Sequence, residues 1–144
     1  MRFLMTGLFL LVLLTLNVGC ASNPAQMRGH ALIQINNMNV APRVAKVSGP
    51  KNSVVWTNWS SSVASIHFPA SIADAFVCDE LRPLFVHSGD TVESVTTVGD
   101  NESLSTPCPL KPGTYTYEVW LSQSQAQREN PQLKLTGQIV VASE

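Results

Sequence analysis

The chain has 144 residues, nine Lys and Arg against ten Asp and Glu, and a net charge of −1. So even a balance, with no basic cluster, excludes the electrostatic footprint of a nucleic-acid binder. No charge run or basic amphipathic segment marks a helix that lies on a membrane.

Met1 and Arg2 are followed by the almost wholly apolar stretch Phe3 to Leu16, and then by Asn17-Val18-Gly19-Cys20-Ala21. One positive charge, an apolar run of about 14 residues and small residues behind it make a secretory signal, too short to cross a ~30 Å hydrocarbon core comfortably. Leu16-Asn17-Val18-Gly19-Cys20 resembles a bacterial lipobox, in which a Cys after a small residue is acylated and becomes the new N-terminus. The favoured Leu lies one place early here, with Asn17 in its slot. The alternative is ordinary cleavage after Ala21, which leaves a soluble secreted protein without Cys20.

Cysteine arithmetic favours lipid. Three cysteines in an exported protein leave one unpaired, and a palmitate-bearing Cys20 leaves Cys78 and Cys108 as a disulfide pair. The expected organisation is a signal peptide over 1–19, a flexible tether over 20–30 and one domain over 31–144. Ala21 after Cys20, rather than Asp, resembles lipoproteins sorted to the outer membrane, facing the periplasm. The membrane is then the first partner, through the lipid.

From Ala31 onward short apolar runs alternate with turn residues. Strands are expected over Ala31–Ile35, Arg43–Val47, Val54–Trp59, Val63–Phe68, Leu84–His87, Thr91–Val98, Thr114–Leu121 and Leu133–Val141. The breaks Ser48-Gly49-Pro50, Ser88-Gly89-Asp90, Gly99-Asp100-Asn101 and Lys111-Pro112-Gly113 carry turn chemistry. Only Ser71–Ala75 and Ser122–Glu129 suit brief helical pieces. Such punctuation predicts an all-β sandwich or barrel. Alternation places Tyr115, Tyr117, Val119 and Leu121 on one face and Thr114, Thr116, Glu118 and Trp120 on the other. In the last strand Leu133, Leu135, Gly137, Ile139 and Val141 form the more apolar face.

Three segments resemble one family. Val54-Val55-Trp56-Thr57-Asn58, with Val40-Ala41-Pro42-Arg43-Val44 before it, looks like the opening strands of a cupredoxin. Lys111-Pro112-Gly113-Thr114-Tyr115-Thr116-Tyr117 resembles that family's Pro-Gly-x-Tyr-x-Tyr strand. Leu135-Thr136-Gly137-Gln138-Ile139-Val140-Val141 resembles its closing Met-x-Gly-x-Ile-x-Val strand. The resemblance spans residues 40–141 and implies a Greek-key β-sandwich of about seven or eight strands. It also implies a copper held by two His, a Cys thiolate and a weak axial Met. This sequence has Ala64 in the first His slot, Val119 in the Cys slot and Leu135 in the Met slot. The loop Ser122 to Gln132, where the second His belongs, has no His, Cys or Met. The expectation is therefore the fold without the copper site, and no cofactor.

Other chemistry finds little support. Cys78 and Cys108 lie about 30 residues apart, unlike the Cys-x-x-Cys of an oxidoreductase. His67 lies close to the family's His position, but period two turns it opposite to Ala64, Ile66 and Phe68, so it is expected at the surface, as is His87. Met27, His30 and Met38 carry atoms that suit Cu(I). No Gly-x-Ser-x-Gly marks a reactive Ser, and Asp79-Glu80 reads as a solvated turn, so no catalytic residue is nominated. Trp59, Trp120, Gln123 and Gln125 are the candidate partner contacts, since exposed aromatics near loops are enriched at interfaces. The sequence thus predicts a cell-envelope lipoprotein whose copper-free cupredoxin-like domain is a binding or structural module for an unknown envelope protein or ligand. The alternative is a periplasmic copper-handling or electron-transfer protein with non-standard ligands.

Overall fold

The computed structural model describes residues 29–81 and 83–143. The signal segment, Cys20, Met27 and most of the expected tether lie outside the described residues. No helix among the described residues is long and apolar enough to cross a membrane.

Ten strands form: β1 (His30–Ile35), β2 (Val40–Ala41), β3 (Val44–Ser48), β4 (Ser53–Asn58), β5 (Val63–Pro69), β6 (Phe85–Ser88), β7 (Thr91–Ser94), β8 (Ser103–Ser105), β9 (Gly113–Ser122) and β10 (Leu133–Ala142). Short 3-10 turns occupy Ala70–Ala75 and Gln125–Gln127. Eight strands match the periodic runs to within a few residues. The other two, β2 and β8, are too short to show alternation and depend on neighbours for their existence. The expected run Thr91–Val98 ends at Ser94, because Val95 N–H turns to the Leu84 carbonyl and Val98 instead bridges to Ala64. β1 begins at His30, one residue inside the expected tether, where Gly29 C=O accepts the Ser53 N–H at 2.7 Å.

The strands build two sheets, ordered β2-β1-β4-β8 and β3-β10-β9-β5-β7-β6. β1 runs parallel to β4 and β3 parallel to β10, so the chain crosses from the first sheet to the second between Ala41 and Val44. All other neighbours are antiparallel. The sheets pack face to face as a sandwich, with Ile33, Ile35, Val54 and Trp56 of one against Ile66, Phe68, Tyr117, Val119 and Ile139 of the other. The faces expected for β9 and β10 are the buried ones, except that Leu133 at the start of β10 is exposed and Tyr115 is only partly covered.

Trp56 is the centre of this core. Its ring meets Tyr117 at 5.5 Å and Phe68 at 6.0 Å, both edge to face, the arrangement that aromatic quadrupoles favour. Burying side chains of this size contributes about 1.5–3 kcal/mol each. Gly137 is opposite Tyr117 on β10, and any Cβ there would strike the tyrosine hydroxyl, which is why the apolar stripe of β10 is interrupted by a glycine.

A buried hydrogen-bond network and a disulfide tie connecting segments to the sandwich. The fully buried Asn58 donates to the carbonyls of Ser62 and Val98 at 2.7 and 2.8 Å and accepts from Ser60, fixing the β4–β5 connection. Cys78 and Cys108 are bonded, with Cα atoms 6.1 Å apart and a sequence separation of 30. The bond staples the segment after Ala70–Ala75 to the chain entering β9, beside the hydrogen bond from Val77 N–H to Pro109 C=O.

Candidate functional site

The positions that the cupredoxin resemblance assigns to copper are part of the packed core. Ala64 and Val119 have no exposed surface, and Leu135 is 7% exposed. They come from adjacent strands, since Ala64 pairs with Leu121 and Ile66 with Val119 across β5 and β9, and Leu135 pairs with Val119 across β10 and β9. None of the three offers a lone pair. The loop between β9 and β10 carries Arg128 inward instead of a ligand. Among the described residues no group of three or more His, Cys, Asp or Glu is arranged to hold a metal ion. Copper therefore does not fit the residues in its family position.

His30 and Met38 give no substitute. His30 opens β1, with Nδ1 2.7 Å from Ser53 Oγ, while Met38 lies past the other end of that strand. The two are not brought together.

The outer face of the larger sheet is where polar chemistry collects, and here one expectation is corrected. His67 does point away from the core, as period two requires, but it is buried at 4% exposure rather than placed at the surface. Trp120 covers it, ring stacked on ring at a centroid distance of 3.9 Å. Ser65 Oγ lies 2.8 Å from Nε2, and Glu93 Oε2 lies 3.4 Å from Nδ1. A carboxylate only accepts, so these partners place the proton on Nδ1 and leave Nε2 to accept from the Ser65 hydroxyl. Burial holds the imidazole neutral and pushes its pKa down to about 4; Arg128 and Lys134 act in the same sense, while Glu93 and Glu118 oppose them.

Arg128 completes the cover. It donates to the carbonyls of Val95 and Ser94 at 2.9 and 3.0 Å and meets Glu93 at 3.1 Å. The loop from Ser122 to Gln132 is thereby fastened over the outer ends of β5 and β7. Gln125 adds a second fastening, its carbonyl oxygen accepting from the N–H of Thr97 at 2.9 Å and from the Thr97 hydroxyl. Trp120 in turn donates Nε1–H to Glu118 at 2.7 Å and carries the Lys134 ammonium 3.8 Å above its ring centre. Beside this stack a groove of about 230 Å³ runs past Pro69, Thr91, Thr116 and Glu118.

Ser65, His67 and Glu93 follow the order of a nucleophile, base and acid. Ser65 has no exposed surface and lies directly opposite Trp120, so no substrate carbonyl reaches its oxygen. The arrangement is a buried polar layer under an aromatic cover.

The four candidate contacts fall in different places. Trp59 is 57% exposed at the end of β4, near exposed Met38, because Trp59 N–H bonds Ile35 C=O and Ser61 N–H bonds Asn37 Oδ1. Trp120 is half-buried on the outer face of the other sheet. Gln123 is exposed, and Gln125 is used internally. Sequence reasoning missed Glu93 and Arg128. Their one signal was an isolated Arg within a polar loop, which periodicity cannot read.

No protein-family model and no curated protein sequence matches this chain. Solved structures do. An oxidised Met-to-Lys variant of amicyanin superposes with a TM-score of 0.53 at 17% identity over 79% of this chain and 83% of the other. A Cu(I) Met-to-Ala variant, TM-score 0.52, and a reduced Cu(I) form at pH 4 of a Pro-to-Gly variant, TM-score 0.51, each match at 16% identity over the same shares. At such identities the likeness is one of fold.

Proposed function

We propose, from the premise that the chain has a cupredoxin-like sandwich with apolar side chains in the ligand slots, that it is an exported lipoprotein working as a copper-free binding module. The carrying observation is the burial of Ala64, Val119 and Leu135 as core side chains. A metal there would need three donors that the chain does not supply. The loop that in the resemblance holds a ligand is instead pinned by Arg128 and Gln125, so it is available as a preorganised surface.

Export and anchoring rest on the sequence from Met1 to Ala21, with acyl chains on Cys20 and the domain held at the periplasmic side of the outer membrane. β1 starts at His30 and runs toward the end that carries Trp59 and Met38. A tether to the lipid would join the domain at the opposite end of β1 from Trp59 and Met38.

Native extraction from membranes tests this reading. The intact mass is expected to exceed that of Cys20–Glu144 by a diacylglycerol and a further fatty acid, with well under one copper per chain. A soluble product beginning at Ser22 would remove the anchor. A chain extracted with one tightly held copper would remove the copper-free role.

A further inference from the structure

β10 is flanked on both sides over only its second half. β9 pairs with it from Leu133 to Val141, whereas β3 pairs only from Gln138 to Ala142. Before Gln138, the side of β10 turned toward β3 opens on a groove of about 310 Å³. Met38, Asn39 and Arg43 form one bank and Lys134, Leu135 and Thr136 the other.

The direction of the main chain there follows from one hydrogen bond. Gln138 N–H donates to Arg43 C=O at 2.8 Å, so the N–H and C=O of Gln138 point toward β3. The register of β10 on β9 is continuous from Leu133 to Val141, with no bulge to change its phase. By the period of two, the N–H and C=O of Thr136 and Lys134 point into the groove, where no strand of the described residues pairs with them. Both residues are exposed. Unpaired main-chain groups along a strand edge are a template for another strand.

The charges of the groove select what kind of strand. Its ionisable lining residues are Arg43 and Lys134, and none is acidic. Arg43 is exposed and has no ion pair among the described residues. Asn39 uses its carbonyl oxygen to accept from Asn36, which leaves its NH2 free to donate. The Lys134 ammonium sits over the Trp120 ring, which leaves Arg43 as the uncommitted cation among the groove's described lining residues.

We propose that this groove takes an extended acidic peptide segment of a partner protein, added as a strand beside Leu133–Gly137. Main-chain bonds to Lys134 and Thr136 supply the pairing, a carboxylate of the peptide pairs with Arg43, and Met38 takes an apolar side chain. The free edge is about 16 Å long, room for about five residues of peptide. The proposal rests on the binding-module reading and locates the contact at β10.

The test uses the full mature chain in detergent micelles and two blocked eight-residue peptides, one alternating Val with Glu and one Val with Lys. Amide exchange is read residue by residue. In the free protein the Lys134 and Thr136 amides exchange fast while Gln138 and Val140 are protected. The Glu peptide slows Lys134 and Thr136 at least about tenfold, the Lys peptide does not, and Arg43→Glu reverses the preference. Protection of both amides without peptide, or only on raising the protein concentration, would overturn the proposal, as would equal protection by both peptides or none at millimolar Glu peptide. A Glu peptide that perturbs Trp59 while Lys134 and Thr136 go on exchanging fast would refute this site and leave the binding-module reading standing. Tightly held copper in the same sample would refute that reading whatever the peptide does.

Discussion

His67 and Trp120 stack with ring centroids 3.9 Å apart on the outer face of the larger sheet, so a titratable imidazole is sealed where a sandwich ordinarily meets water. Trp120 supplies the lid, and Arg128 and Glu93 supply the rim.

This seal makes stability depend on pH. The unfolded chain protonates His67 near 6.5 and the folded chain only near 4. Between those values the unfolded state binds more protons, so stability falls as pH falls, present in full above 6.5 and lost on passing 4. The loss is about 3 kcal/mol. Urea unfolding of wild type and His67→Gln from pH 7 to pH 4 measures it as the difference between the two curves. Parallel curves would show that His67 is not sealed.

Arg128 sets the same equilibrium from the loop. Arg128→Ala leaves Glu93 without its cation and frees two carbonyls, an expected cost of about 2–4 kcal/mol. Because the Arg128 charge lowers the His67 pKa and Glu93 raises it, the variant's His67 titrates higher than wild type. Ring-proton NMR checks the direction, and an unchanged or lower midpoint contradicts the latch.

The disulfide closes a 30-residue separation, worth about 3.5 kcal/mol by loop entropy. Replacing Cys78 and Cys108 together with Ala should cost about 2–5 kcal/mol in chemical denaturation while Trp56 stays buried. An unchanged denaturation midpoint would mean that the core alone holds the segment after Ala75.

Much of this architecture was legible in the sequence. Period two picked the buried faces of β9 and β10, because Tyr117, Val119, Leu135 and Ile139 have one apolar layer to join. The cysteine count picked the pair, since the expected use of Cys20 for lipid left Cys78 and Cys108 to each other, and the two are bonded. The order of Ala64, Val119 and Leu135 along the chain was enough to place apolar groups in the ligand slots. What alternation could not show was the second buried face of β5. Ser65 and His67 are covered by Trp120 and by Arg128, which lie far along the chain and carry no periodic signal. The open half of β10 was hidden for the same reason, because it depends on where β3 stops.

Copper titration of the purified mature chain decides whether the sandwich works without metal. Blue copper requires a thiolate on the metal, and Cys78 and Cys108 are bonded to each other. Added Cu(II) is expected to give no intense thiolate charge-transfer band, to leave the melting temperature unchanged, and to be lost on dialysis. One copper per chain retained through dialysis and released by His67→Gln would contradict both the sealed His67 and the copper-free function.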